Sequence, residues 1–199
     1  MKSNKSGLFL SVIVLVTAFG CKHEFKQVDY FPNSVGYYWF YNVFDSVLNK
    51  SEPLRVSIVD NRTINGANSA VWLLSYTNRT DTFFVSQSKD TIIFNSNSFI
   101  KRIYVVPFSL NQIWNESYFS TNNSKVISIE DVTVPAGSFN DTYVIERNIR
   151  SFNYSLYEKI YFKPQIGIVK LYTKEYNLGP VQIKTWELKS FDYSNPTPL

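Results

Sequence analysis

Residues 54–60 read Leu-Arg-Val-Ser-Ile-Val-Asp, and this alternation of apolar and polar side chains decides the fold class. A period of two places Leu54, Val56 and Ile58 on one face of a strand and leaves a mixed face opposite. Asn65 and Gly66 follow, and both tolerate the positive φ that a two-residue hairpin turn requires. An apolar stretch at residues 70–76 then supplies the return strand. The segment therefore predicts an antiparallel hairpin.

Comparable segments continue to the end of the chain, and Asn, Ser, Asp and Gly clusters favour turns between many of them. Strands are predicted at 83–86, 91–94, 103–106, 116–120, 126–134, 142–149, 156–162, 166–173 and 181–191. In the segment 126–134 the apolar positions shift phase across Glu130 and Asp131, which indicates a bulge. Residues 134–139 predict a turn between two strands.

The composition agrees with a sheet, since 16 Phe, 14 Tyr and 4 Trp stand against a single Met. One short helix is predicted over residues 108–114, where Pro107 can precede the first turn. We therefore predict an all-β fold with minor helix. One large, curved, mostly antiparallel meander sheet, half-barrel or barrel-like, removes the exposed edges that a long flat sheet would leave.

Two nine-residue segments share a pattern. Residues 31–39 and 106–114 each contain a proline followed by a tryptophan seven positions later, at Trp39 and Trp114. The match either marks two halves of one curved sheet or arises by chance.

The N-terminus has the organisation of a signal peptide. Lys2 and Lys5 precede an apolar run over residues 7–20 that is shorter than the roughly 20 residues of a membrane-spanning helix. The segment 18–21, Ala-Phe-Gly-Cys, resembles the lipobox of bacterial lipoproteins. That resemblance implies cleavage between Gly20 and Cys21 and attachment of acyl chains to the Cys21 thiol, with an ordinary secretory cleavage as the alternative.

The lipid would hold the exported protein on a membrane, because two or three acyl chains anchor far more firmly than one. Lys22 follows Cys21, where inner-membrane lipoproteins of enterobacteria carry an aspartate, so the outer membrane is favoured. The periplasmic and the surface-exposed orientation both stay open.

The domain layout follows from these features. We expect a signal peptide at 1–20, a lipidated tether at 21–30, a single β domain at 31–193 and a C-terminal tail at 194–199. Removing residues 1–20 leaves 18 basic and 16 acidic residues, a net charge of +2. The charges are scattered, whereas nucleic-acid binders show a clustered basic patch, so no nucleic-acid partner is expected.

Catalysis is disfavoured because His23, in the expected tether, is the only histidine. Its position removes the usual general base and histidine-based metal sites from the domain. The only cysteine is taken by the lipid. We expect no enzyme, no metal and no cofactor, with a carboxylate pair as the one surviving catalytic alternative.

Aromatic side chains are the candidates for ligand binding. Trp39, Tyr41, Trp72 and Trp186 either fill the core of the sheet or line a groove for an apolar or glycan ligand. Core packing is the more frequent role of such residues in proteins.

Phe31-Pro32, the segment 36–41, the segment Val-Pro-Ala-Gly-Ser-Phe at 134–139 and Ile-Gly-Ile-Val-Lys at 166–170 occur in a familiar order. This order resembles an uncharacterised lipoprotein family of Bacteroidota. That family is similar in architecture to the lipoprotein-localisation factors, whose curved sheet wraps an apolar pocket under short helices. The present sequence departs from those factors because it lacks a clear set of lid helices.

Two functions compete at this point. The first is a membrane-anchored, non-catalytic binding module, which predicts a pocket lined by tryptophan and tyrosine. The second is a structural or accessory subunit of an envelope protein complex, which predicts a filled interior and an exposed apolar patch.

Overall fold

The computed structural model of the chain describes residues 30–64, 66–96, 101–116 and 122–193. The expected signal peptide, the lipidation site at Cys21, the tether up to residue 29 and the C-terminal tail at 194–199 lie outside the described residues.

The described residues form twelve strands. They are β1 (Tyr38–Asp45), β2 (Lys50–Ile64), β3 (Ala67–Ser75), β4 (Thr80–Gln87), β5 (Thr91–Ser96), β6 (Arg102–Val105), β7 (Ile113–Asn115), β8 (Asn123–Val134), β9 (Gly137–Ser151), β10 (Tyr154–Lys163), β11 (Gly167–Asn177) and β12 (Gln182–Asp192).

All twelve strands belong to one sheet in the order β6-β5-β4-β3-β2-β1-β12-β11-β10-β9-β8-β7. Each neighbouring pair is antiparallel. The β1–β12 pair joins two six-stranded meanders, β1–β6 and β7–β12. The sheet curls until β6 and β7 approach each other, which nearly closes a barrel shape. The predicted curved antiparallel meander is confirmed.

The predicted hairpin at residues 54–76 corresponds to β2 and β3. Leu54, Val56 and Ile58 are buried, as the alternation requires. The two strands are joined by only two residues, and Gly66 has a φ of 80°. The phase shift near Glu130 is also confirmed, because the β8–β9 register slips between Glu130 and Val132.

The predicted helix over residues 108–114 is wrong. This segment is a turn that leads into β7, and no helix occurs among the described residues. Asn111 has a φ of 66°, which a right-handed helix cannot accommodate. The Gln112 side chain accepts a hydrogen bond from the Ser109 amide at 2.8 Å and holds the turn. Of the strand predicted at 116–120, residues 117–120 lie outside the described part of the chain, and the strand here is Ile113–Asn115.

Because the described segments hold no helix, they also hold none that is long and apolar enough to cross a bilayer.

Side chains close the gap between β6 and β7, which we call the seam. The Trp114 indole nitrogen donates to the Ile103 carbonyl at 2.8 Å, and a Glu116 carboxylate oxygen accepts from the Ile103 amide at 2.8 Å. The Gln112 side-chain amide donates to the Val105 carbonyl at 3.0 Å. Main-chain groups of an edge strand, which a neighbouring strand would normally pair, are therefore satisfied by side chains.

Candidate functional site: a cavity inside the sheet

A cavity of about 600 Å³ lies within the curled sheet, lined by residues of β1–β6 and β10–β12. It opens at the end where the chain turns from β1 to β2, from β3 to β4, from β9 to β10 and from β11 to β12. We call this end the mouth and the opposite end the closed end.

Aromatic side chains seal the closed end. Phe31 stacks on Trp72 and Phe162, with ring centroids 5.3 and 5.8 Å apart, and forms part of the cavity lining. The Tyr30 hydroxyl accepts a hydrogen bond from the Phe108 amide at 3.0 Å. The segment that precedes β1 therefore plugs one end of the sheet.

The four aromatic residues proposed from the sequence all line this single cavity. Trp39 and Trp72 stack with their ring centroids 5.0 Å apart. Tyr41 packs at 5.9 Å from Trp186. Trp39, Tyr41 and Trp72 are also buried members of the core, so core packing and cavity lining describe the same side chains.

Three of these four residues satisfy their polar atoms within the protein. The bonds run from Trp39 Nε1 to Ile166 O, from the Tyr41 hydroxyl to Ile168 O and from Trp72 Nε1 to Asn33 Oδ1, each 2.8 Å long. Trp186 differs, because its Nε1 is buried and has no hydrogen-bond partner among the described residues. An unsatisfied buried donor costs about 1–3 kcal/mol.

Charges of both signs surround the mouth. The Arg79 guanidinium lies 4.0 Å from the centroid of the Tyr76 ring and 3.5 Å from a carboxylate oxygen of Asp81. The Lys184 ammonium lies 3.7 Å from a carboxylate oxygen of Asp45. The mouth can therefore donate and accept hydrogen bonds, and it does not present a field of one sign.

A buried ion network connects the cavity wall to the seam. Arg147, which is fully buried, donates to Glu116 at 2.8 Å and to Glu158 at 2.7 Å. Arg102 pairs with the other oxygen of Glu158 at 2.9 Å. The Ser124 hydroxyl donates to the Glu116 oxygen that Arg147 also contacts. Two cations and two anions thus neutralise one another, with Arg147, Glu116 and Glu158 buried and Arg102 27% exposed.

This network controls the protonation of Glu158. Burial by itself raises the pKa of a carboxyl group, but the positive charges of Arg102 and Arg147 outweigh that effect and lower the pKa of Glu158 to about 2. Glu158 is therefore ionised throughout the physiological pH range.

Our sequence reasoning missed this network, although the sequence holds a signal for it. Arg147 stands between Ile145 and Ile149 at an inward position of β9, and Glu158 stands between two inward apolar residues of β10. The two charges face each other directly in the β9–β10 register. Opposite charges at apolar positions of neighbouring strands indicate a buried pair.

Gly20 and Cys21, the predicted cleavage and lipidation residues, are outside the described residues.

Comparisons with known proteins agree with the sheet. No family model matches the chain, and no curated protein matches its sequence. Among solved structures, the chain is similar to one described as a candidate lipoprotein from Parabacteroides distasonis, with a TM-score of 0.50 and 15% identity over 83% of this chain and 99% of that one. It is also similar to a candidate exported protein with a YmcC-like fold from Bacteroides fragilis, with a TM-score of 0.50 and 14% identity over 83% of this chain and 100% of that one. At this identity the likeness establishes the fold.

Proposed function

We propose that the protein is an envelope lipoprotein, anchored through Cys21, whose sheet holds an apolar or amphipathic ligand without transforming it. The observation that carries this proposal is the cavity of about 600 Å³, which lies within the 300–1,000 Å³ typical of ligand sites. Its aromatic walls favour an apolar ligand body. The polar residues of the lining, Arg79 and Lys184 among them, favour a ligand that also carries a polar group.

An apolar body fits these walls better than a glycan does. Sugar rings stack on open aromatic faces, whereas Trp72 already stacks on both Phe31 and Trp39. The polar groups concentrate at the mouth, around Arg79 and Lys184. The arrangement suits an amphipathic molecule with its polar end at the opening.

A non-catalytic role agrees with the state of Glu158. A glycosidase needs an acid whose pKa is raised so that it can donate a proton, whereas the pKa of Glu158 is lowered and both its carboxylate oxygens pair with arginine. Within the proposal, this carboxylate maintains the wall of the cavity.

The cavity favours a binding module over an accessory subunit, since a purely structural sheet has no need of an unfilled aromatic interior. Placement at the outer membrane rests on the residues around Cys21. The names of the two similar structures, which describe a lipoprotein and an exported protein, support an envelope location.

The first experiment is native mass spectrometry of the full chain, extracted from a bacterial envelope in detergent. We expect a co-purifying molecule of lipid-like mass that is released on denaturation. The Trp186→Ala variant removes an aromatic side chain from the cavity lining, so it should retain less of that molecule. Phe44→Ala, on the exposed outer face of β1, is the matched control and should retain as much as the unsubstituted chain.

Direct uptake tests the cavity independently. Dansylundecanoic acid should gain fluorescence when the full chain is added, and Leu74→Trp, which places a larger ring in the cavity lining, should abolish the gain while preserving the β-sheet circular dichroism. A ligand-free mass together with no dansyl response would refute the binding proposal.

A further inference from the structure

The two ends of the sheet differ in the apolar surface that they expose. At the mouth, three turns and the strand ends beside them carry exposed apolar side chains: Val47, Leu48, Phe152, Tyr176, Leu178 and Val181. We call this set the rim. Phe152 is 99% exposed, Leu178 71% and Leu48 69%. At the closed end, Leu110 and Ile113 are the only exposed large apolar side chains in the turns and adjoining strand ends that the structure describes.

The rim is continuous because its turns are neighbours. The sheet order β2-β1-β12-β11-β10-β9 places the β1–β2, β11–β12 and β9–β10 turns side by side. The Ser46 amide donates to the Ile183 carbonyl at 2.9 Å and ties the first two turns together. Six exposed apolar side chains therefore follow one arc beside the cavity opening.

Leu178 is exposed against two ordinary preferences. Its φ of 52° lies in the left-handed region, which glycine and asparagine occupy more readily than leucine. Its side chain also projects into water. A leucine with an unfavourable backbone conformation and an exposed side chain indicates that the side chain contacts something outside the isolated chain.

Exposed charges beside the rim are basic. Lys50, Arg150 and Lys174 flank the three turns and point to solvent. Of the nearby acids, Asp45 is buried, Glu175 lines the cavity and Glu52 is half-buried. The exposed Asp81, beside the neighbouring β3–β4 turn, lies 3.5 Å from the Arg79 guanidinium. Apolar tips with basic flanks complement a bilayer surface that contains anionic lipids.

We propose that the rim docks onto a lipid bilayer containing anionic lipids and places the mouth of the cavity at the bilayer surface. An apolar ligand could then move between membrane and cavity without crossing water. The docking does not depend on the ligand proposal, because the rim and the cavity lining consist of different residues.

The chain enters the sheet at the closed end, where the Gln165 amide donates to the Tyr30 carbonyl at 3.0 Å. The described part of the chain therefore begins at the end of the sheet opposite the rim. A test must accordingly distinguish the bilayer that holds the anchor from a second bilayer.

The test uses the full chain with Leu178→Cys, labelled with the fluorophore NBD and reconstituted into vesicles. The unsubstituted chain, whose single cysteine carries the lipid, should take up no label. Doxyl-labelled phosphatidylcholine is placed either in the same vesicles or in added protein-free vesicles, with and without phosphatidylglycerol. We expect the label at Leu178→Cys to be quenched in at least one arrangement, and more strongly when phosphatidylglycerol is present. A label at Lys89→Cys, in the β4–β5 turn at the closed end, should be quenched little.

A second variant separates docking from folding. Leu178→Asn suits the left-handed φ, so it should preserve or increase the stability of the sheet. With the label moved to Phe152→Cys, the same substitution should weaken docking about ten- to hundredfold, the range that corresponds to losing burial of one leucine. Equal quenching at the rim and at Lys89→Cys in both arrangements would overturn the proposal. Protection of the rim label by a stoichiometric envelope protein, without lipid quenching, would assign the rim to a protein partner instead.

Discussion

Replacing Arg147 with methionine tests whether the buried ion network holds the seam. Arg147 is fully buried, and its guanidinium donates to Glu116, Glu158 and the Ile103 carbonyl. Methionine fills a similar volume but donates nothing. Two buried carboxylates then lose a partner, and one carbonyl of the edge strand β6 loses a donor.

The expected cost is about 3–5 kcal/mol of unfolding free energy, the usual penalty for removing one partner of a buried ion pair. Urea unfolding of the full chain in detergent, followed by tryptophan fluorescence, measures it. Side chains, and not a backbone ladder, close the seam. Amide hydrogen exchange at Ile103 should therefore accelerate in Arg147→Met by more than exchange at residues of the β1–β12 pair.

Lys170→Met is the matched control. Lys170 and Glu187 are also opposite each other on neighbouring strands and pair at 2.8 Å, but their side chains are 31% and 37% exposed. Exposed pairs contribute about 0–1 kcal/mol, so this variant should lose at most that amount. If Arg147→Met costs no more than Lys170→Met, the buried network does not stabilise the seam and the reasoning fails.

Three further predictions concern the same sheet. The unfolding free energy should fall as the pH drops from about 4.5 toward 2, because Glu158 binds a proton at a higher pH in the unfolded chain than in the folded one. In the Glu158→Gln variant, the midpoint of urea unfolding should therefore depend less on pH across that window. Phe31→Ala should cost about 3–5 kcal/mol and expose the closed end, measured by urea unfolding and by faster dansylundecanoic acid exchange. Gly167→Ala should cost about 1–3 kcal/mol in urea unfolding because φ is 93° there; unchanged stability would show that alanine fits this backbone.

The fold was largely predictable because strand alternation depends on neighbouring residues. Leu54, Val56 and Ile58 mark one face without any knowledge of the rest of the chain, and the phase shift near Glu130 marks a bulge. The turn at residues 108–114 was misassigned as a helix because Pro107 can precede the first turn of a helix, whereas proline is equally common in turns. Its actual conformation depends on the Gln112 side chain, which bonds to Ser109 within the turn and to Val105 before it.

The site was less predictable because its decisive features are distant in sequence. Trp39, Tyr41, Trp72 and Trp186 were proposed as ligand-binding residues only because they are aromatic, and all four line one cavity. The sequence could not distinguish Trp186, whose indole nitrogen is unpaired, from the other three, whose partners come from the β10–β11 turn, β11 and the segment before β1. Their ligand-binding role stays a prediction.

The two proline-to-tryptophan segments lie at the two junctions between the six-stranded halves of the sheet. Each segment precedes or enters the first strand of one six-stranded half, and both tryptophans donate to a main-chain carbonyl across a junction between halves: Trp39 to Ile166 and Trp114 to Ile103. The β12–β1 junction is closed by a ladder of eight residue pairs. The equivalent β6–β7 junction has two very short strands, so side chains and the Arg147 network substitute for the ladder. Closing one junction by backbone and the other by a neutral ion network lets the sheet wrap around an interior that its own side chains do not fill.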